Sequence, residues 1–327
     1  MLALLLAAAL FAATRPHYGG VLRVQLQDAI QGADPPQLGP GIPDLFAAFT
    51  ITRWESGSRA AFSANPSAAG GRPFLDSIEI EMGRPTREMT IALDTGKADI
   101  IQLDPAAMRR PPAGVKIWSS SPVRLVALRF SGSEDARLRE AVSLAVDRTA
   151  IQRVLLQGQG EVSGALLPQW LSGYAFLFPA AADVSKSRAL AAALPASSRS
   201  LTLSFDSPAL RPIADRIVLN ARDAGIAFTI APAGGTVRLV QTRMISSDPA
   251  KALAGVAISL GLQEPPRALT PEALYNAERN LLDGFRVIPL FHLPDVYAVS
   301  PRVKGGPGIS PLGEWRFENL WLENPRP

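Results

Sequence analysis

The 327-residue chain contains no cysteine. That excludes a disulfide framework, a thiolate metal site and a cysteine able to carry a lipid. Histidine is almost as scarce, with only His17 and His292. A Ser-His-Asp arrangement would have to use His292, yet no G-x-S-x-G elbow precedes it, and Ser163-Gly164 and Ser172-Gly173 do not supply one. His292, inside the apolar run Ile288–Pro294, reads as a satisfied structural residue rather than a base. Nucleotide-binding loops are missing as well: there is no G-x-x-x-x-G-K-[ST], and Gly158-Gln159-Gly160 lacks the third glycine of a dinucleotide turn. Asp28, Asp34 and Asp44 sit in loops without the D-x-D-x-D-G ladder of a calcium site. Hence no catalytic residue, cofactor or metal is expected. Thirty-three basic against 29 acidic residues leave a net charge of +4 with no Lys/Arg block, so nucleic-acid binding is not expected either.

No apolar run is long enough to span a bilayer. Leu2 to Ala13 (LALLLAAALFAA) is wholly apolar and precedes the first charge, Arg15. Its length suits a signal-peptide core. Residues 1–18 are therefore expected to direct export, leaving a soluble periplasmic or extracellular protein. With 47% hydrophobic residues the chain can build a sizeable core, and its length exceeds what one core usually reaches, so two lobes are expected. Gly 26 and Pro 29 suit many short connections between strands and helices.

Strand and helix patterns alternate along the chain. Gly19 to Leu26 and Ile78 to Met82 alternate apolar and polar residues as half-buried strands do. Residues 31–44 hold four prolines and three glycines and read as a loop or a join. Thr86 to Thr95 reads as a helix stopped by Gly96, with Ala98 to Leu103 as the next strand, which makes a βαβ unit. Val123 to Phe130 is a further strand, followed by a helix with Leu138, Val142, Ala145 and Val146 on one face. Asp147 is placed to N-cap a short helix carrying Ile151, Val154 and Leu155. Leu201 to Phe205, a helix over Pro208 to Ala224 capped at Gly225, and Ile226 to Ile230 form a second βαβ unit. Near the end, a helix over Pro271 to Asp283 turns Leu274, Ala277 and Leu281 inward and stops at Gly284. Extended segments Val287–Leu293 and Val296–Val299 follow, interrupted at Pro289 and Pro294.

Four stretches resemble, in order and spacing, the family 5 extracellular solute-binding proteins of ABC transporters, the dipeptide-, oligopeptide- and nickel-binding group. Gly19 to Val24 resembles the opening strand. Thr52 to Gly57, Ala64-Asn65-Pro66 and Gly70 to Ile78 resemble the W-x-x-G, A-N-P and G-G-x-P-x-L-D-x-I run. Asp135 to Ala141 with Ala145 to Arg148 and Ile151 is similar to the family's D-x-R-x-R-x-A…A-I-D-R…I helix pair, the most specific of the four. Val287 to His292 resembles the late strand that returns the chain between lobes. The resemblance implies an α/β, two-lobed, type II periplasmic-binding fold of mixed sheets flanked by helices. Lobe 1 would be 19–126 completed by 298–327, and lobe 2 would be 127–297, with a ligand held between lobes that close like a hinge.

Two departures shape what the resemblance implies. Family members carry a subdomain between the opening strand and the W-x-x-G run, where only residues 31–51 stand here, so the chain looks shortened. Peptide-binding members place a W-x-x-D-Y-x-D-P-like segment in the second lobe, whose first aspartate meets the ligand's α-amino group. The nearest match, Met244 to Pro249, puts Ile245 at that position.

The function implied is capture of a peptide-like or other small polar solute and its delivery to ABC permease subunits in the membrane by a monomeric protein. The alternative is a reduced, non-transporting scaffold or sensor of the same fold. A cleft of this kind uses a few polar groups and aromatic walls. The candidate ligand contacts are Trp118, Arg124, Trp170, Tyr174, Arg243, Asp248 and Tyr297. Arg124 and Arg243 lead this group because a bidentate guanidinium suits a carboxylate.

Overall fold

A computed structural model describes residues 15–30, 48–109, 111, 113–267 and 270–323. The expected leader core Leu2–Ala13 and the loop 31–44 lie outside the described residues. In chain order the strands are β1 (Val21–Gln25), β2 (Phe49–Glu55), β3 (Arg59–Ala64), β4 (Ser77–Glu81), β5 (Ile100–Leu103), β6 (Lys116–Phe130) and β7 (Glu161–Val162). They continue with β8 (Ser200–Phe205), β9 (Ala227–Ile230), β10 (Val237–Arg243), β11 (Val287–Val299), β12 (Val303–Lys304) and β13 (Trp321–Leu322). The α-helices are α1 (Thr86–Asp94), α2 (Ala136–Ala145), α3 (Arg148–Val154), α4 (Gln169–Ser172), α5 (Val184–Ala192), α6 (Arg211–Asp223), α7 (Pro249–Ser259) and α8 (Pro271–Leu282). No helix of the described residues is long and apolar enough to cross a membrane.

The chain divides into two compact units, one built from the residues up to Leu103, 111–119 and those from Val296, the other mainly Ser120–Asp295. In the first unit, β1 lies between β4 and β5 and is parallel to both, while β3 and β2 continue antiparallel from β4. The end of β11 pairs antiparallel with β5. Alternation explains the strand faces: Leu22 and Val24 are buried and Arg23 is exposed. The βαβ unit expected around α1 is present, with β1 inserted between its two strands. Trp315 stacks on Phe317 at 4.9 Å, and Tyr297 meets Trp315 edge-on. Gly308 lets the Trp118 ring pack against the backbone in the same core, because a Cβ there would lie 2.5 Å from that ring.

In the second unit the strand order is β7, β11, β6, β10, β8, β9. The β6–β10 pair is antiparallel, and β10, β8 and β9 are parallel, with α6 the crossover between β8 and β9. Both faces of this sheet are covered. Val126, Leu128 and Phe130 of β6 enter one apolar cluster with α2 and α6, and Leu125 and Ala127 enter another with α7 and α8. The central segments, β11 and Val123–Phe130 of β6, read as largely apolar sequence, as expected for strands buried on both sides, whereas β8 and β9 alternate.

The family-like helix pair serves structure. Asp135 caps α2 through Arg137 N–H at 2.8 Å, and Arg139 donates to Gly284 O at 2.6 Å. Asp147 caps α3 through Ala150 N–H at 2.8 Å, as its position predicts. Arg148 is buried and donates to the carbonyls of Pro289 (2.9 Å), Ser143 (3.0 Å) and Ala180 (3.3 Å). Burial with no carboxylate to offset it lowers its pKa to about 10. Leu138, Val142, Ala145 and Val146 are buried as expected, and so are Ile213, Ile217 and Ala221.

Three local expectations change. Val154 is 57% exposed, because α3 is only two turns long and Ile151 already fills its inward face. The strand expected from Val123 begins at Lys116, extending back through the serines and Pro122. The segments expected to break at Pro289 and Pro294 form one strand, buried throughout. Proline's fixed φ is compatible with extended backbone, and its missing donor matters only where the ladder needs it. Pro289 precedes the β7 pairing at Phe291 and His292, and Pro294 falls between that pairing and the β5 pairing that starts at Val296.

Candidate functional site

The antiparallel register of β6 and β10 sets Arg124 directly opposite Arg243. Like charges in that position repel, so the pair needs a counter-charge. Asp295 of β11, 1% exposed, supplies it. Arg124 Nε lies 3.1 Å from Asp295 Oδ1, and Arg243 Nη1 donates to Oδ2. Arg124 Nη2 also donates to Pro294 O at 2.8 Å, and the Asp295 N–H donates to Ser120 Oγ at 2.8 Å. The two arginine side chains keep 12% and 17% exposure, so both guanidiniums reach a partly open surface of this unit. Such a pair can receive an anionic group through charge-assisted hydrogen bonds.

Trp170 joins the same strand end. Its Nε1 donates to Pro122 O at 3.0 Å while the ring stays 40% exposed. Three of the seven candidates, Arg124, Arg243 and Trp170, are therefore brought together around the Ser120–Arg124 segment. Tyr174 belongs to a separate buried group, donating to Glu278 Oε2 at 2.7 Å. Asp248 caps α7, accepting from Ala250 N–H at 2.9 Å and Lys251 N–H at 3.1 Å, and lines a surface pocket of about 750 Å³ with Leu171, Lys251, Glu264 and Arg267. Trp118 and Tyr297 are buried in the core of the first unit.

Glu278 and His292 carry buried ionisable chemistry. Glu278 has no solvent exposure and accepts from Leu167 N–H at 3.0 Å and from Leu166 N–H. Burial outweighs these bonds and raises its pKa to about 7. His292 is equally buried, with Nε2 3.0 Å from Leu166 O, and burial lowers its pKa to about 4. A neutral His292 therefore holds the same Leu166–Leu167 turn from the carbonyl side that Glu278 holds from the amide side. Among the described residues no group of three or more Asp, Glu or His side chains is placed to hold a metal ion.

Asp295 and Glu278 escaped the sequence reading, although a signal existed for each. Asp295 is a lone carboxylate in an otherwise apolar strand, and a charge there requires a partner. Glu278 falls four residues after Leu274, on the inward face of α8.

The sequence profile described as Bacterial extracellular solute-binding proteins, family 5 Middle matches residues 11–261. The chain belongs to this family. No curated protein matches the family 5 chain. Solved structures do. The periplasmic binding protein DppA from Helicobacter pylori in complex with peptide STSA matches with TM-score 0.71 and 16% identity, over 85% of this chain and 63% of that one. NikA from Staphylococcus aureus in complex with Ni(L-His)2 matches with TM-score 0.70 and 15% identity, over 84% and 68%. The oligopeptide-binding protein AppA from Bacillus subtilis in complex with a nonapeptide matches with TM-score 0.68 and 14% identity, over 85% and 66%. The family 5 chain thus spans about two thirds of the length of these structures. They share its type II periplasmic-binding fold, a mixed sheet flanked by helices, and they are binding proteins.

Proposed function

We propose that this family 5 protein is the solute-binding component of an ABC transporter, capturing a peptide-like or other small polar solute and delivering it to membrane permease subunits. Family membership across residues 11–261 carries the reading. The Arg124–Arg243 pair and the exposed Trp170 edge support it, because they offer charge for an anionic group and an aromatic wall beside it. Export by residues 1–18 to the periplasm or the exterior, with action as a monomer, completes the proposal. Arg124, Arg243 and Trp170 would contact the solute, and no residue would act catalytically.

A thermal-shift panel tests it. A ligand that binds only the folded state raises Tm by mass action. Di- and oligopeptides, amino acids, sugars and nickel chelates are compared, and one class is expected to raise Tm. A flat response across the panel from well-folded protein would overturn capture. The second reading, a scaffold or sensor of the same fold, rests on Ile245, which is 78% exposed where peptide binders place an aspartate. Recovery of permease subunits from membranes by the purified protein would remove that second reading.

A further inference from the structure

The same two strands carry a second cross-strand arginine pair. Arg129 of β6 stands directly opposite Arg238 of β10, and Arg238 is in register with Ser204 of β8. Five residues along from Arg124, with side chains alternating between faces, this pair lies on the other face of the sheet. Leu125 and Ala127 on that face pack in the α7 cluster, and α7 ends at Ser259, so the arginines stand where its cover runs out. Arg129, Arg238 and Ser204 line a cavity of about 300 Å³ closed on one side by the loop Pro232–Gly235.

We propose that this cavity binds a small tetrahedral oxyanion, a phosphate or sulfate group, independently of the solute carried at the first pair. Charge is the main argument. Two like charges directly opposite on adjacent strands are unfavourable unless something offsets them. Asp206 pairs with Arg238 Nε, and among the described residues Arg129 has no carboxylate partner. Its one hydrogen bond there is a 3.5 Å contact from Nη1 to Leu260 O, at the outer limit for such a bond. Glu134, the carboxylate bonded to the lining residue Ser131, is taken up by Ser131 Oγ and the Gly132 N–H, with Arg139 nearby. The Ser204 hydroxyl makes no hydrogen bond among the described residues although the residue is only 4% exposed. Two guanidiniums and a hydroxyl from three adjacent strands thus line one space. One guanidinium fork already satisfies the two oxygens of a carboxylate, whereas a phosphate or sulfate has oxygens left for the second fork and the hydroxyl.

Isothermal titration of the full chain with inorganic phosphate, in chloride buffer, tests this. The expected result is one saturable site with a Kd of about 1 mM or tighter. Sulfate should compete, and acetate should not. Glycerol phosphate in place of inorganic phosphate distinguishes an ester from the free anion, and binding of either supports the site. Arg129→Gln and Arg238→Gln are each expected to weaken binding at least tenfold, and Arg129→Lys to restore part of it. Arg222→Gln, which removes the same charge from an exposed position, should leave it unchanged. The two arginine variants are independent, so either one that folds decides. Absence of saturation in the unmodified chain, equal competition by acetate, or full binding in a folded arginine variant would overturn the proposal.

Discussion

Two arginine pairs on one β-ladder, Arg124–Arg243 and Arg129–Arg238, start from the same arrangement of like charges face to face and reach different solutions. At the first, a buried aspartate from a third strand answers both guanidiniums, and Arg124 also donates to Pro294 O. At the second, Asp206 answers Arg238 alone, and the Arg238 side chain is 52% exposed. The difference lies in the third strand. Beside the first pair β11 passes with Asp295, which reaches both arginines, whereas beside the second β8 brings the Ser204 hydroxyl and, just past its end, Asp206, which reaches Arg238 alone. The first pair is thus closed on one side by a shared carboxylate while its exposed edge stays available to a solute, whereas at the second Arg129 has no carboxylate partner among the described residues.

The largest effect is expected from Asp295→Ala. Removing the shared carboxylate strands two partly buried guanidiniums, and breaking such a group by deleting one partner costs about 3–5 kcal/mol. Urea denaturation of the variant should show that loss. A cost near that of a surface pair would mean that the first pair is not closed.

Glu278 and His292 measure what burial does where no arginine answers a charge. Glu278 has its pKa raised from 4.5 to about 7, so its contribution to stability is present below 4.5 and lost as pH rises through 7. His292 has its pKa lowered from 6.5 to about 4, so its contribution is present above 6.5 and lost as pH falls through 4. Between 4.5 and 6.5 the two slopes oppose each other. In Glu278→Gln the opposing slope of Glu278 is removed, and the histidine contribution should raise stability by about 3 kcal/mol from pH 4 to 6.5 relative to the same variant carrying His292→Gln. Denaturation at a series of pH values reads this directly, and a flat difference between the two variants would refute the burial assigned to His292.

Arg124→Lys keeps the charge but removes the fork that reaches both Asp295 and Pro294 O. Loss of one charge-assisted hydrogen bond predicts about 1.5–3 kcal/mol in the same denaturation assay. The smallest effect belongs to the open pair: Asp206→Asn should cost less than about 1 kcal/mol and shrink further in high salt, because exposed pairs contribute little and are screened. A loss as large as that of Asp295→Ala would erase the contrast between the two pairs.

The sequence carried the local framework. Alternation placed Leu22 and Val24 in the core, helical spacing placed Leu138, Val142 and Ala145, and Asp147 was readable as an N-cap. The family-like Asp135 to Arg148 motif was legible as well, and its residues cap helices and anchor carbonyls. Among the candidate contacts, residue type alone could not separate Trp118, buried in a core, from Trp170, whose ring remains exposed. Both are large aromatic residues near strand ends.

What the sequence determined by itself was whatever depends on neighbours within a few positions: strand and helix periods, caps and the alternating order of elements. Tertiary structure decided whatever depends on register between distant strands. It set Arg124 against Arg243 and Arg129 against Arg238, brought Asp295 to the first pair only, and carried β11 through two prolines whose missing donors fall outside its registered pairs with β7 and β5. Charge pairing follows distance in space. In a sheet, that distance is fixed by which strands lie side by side and in what register.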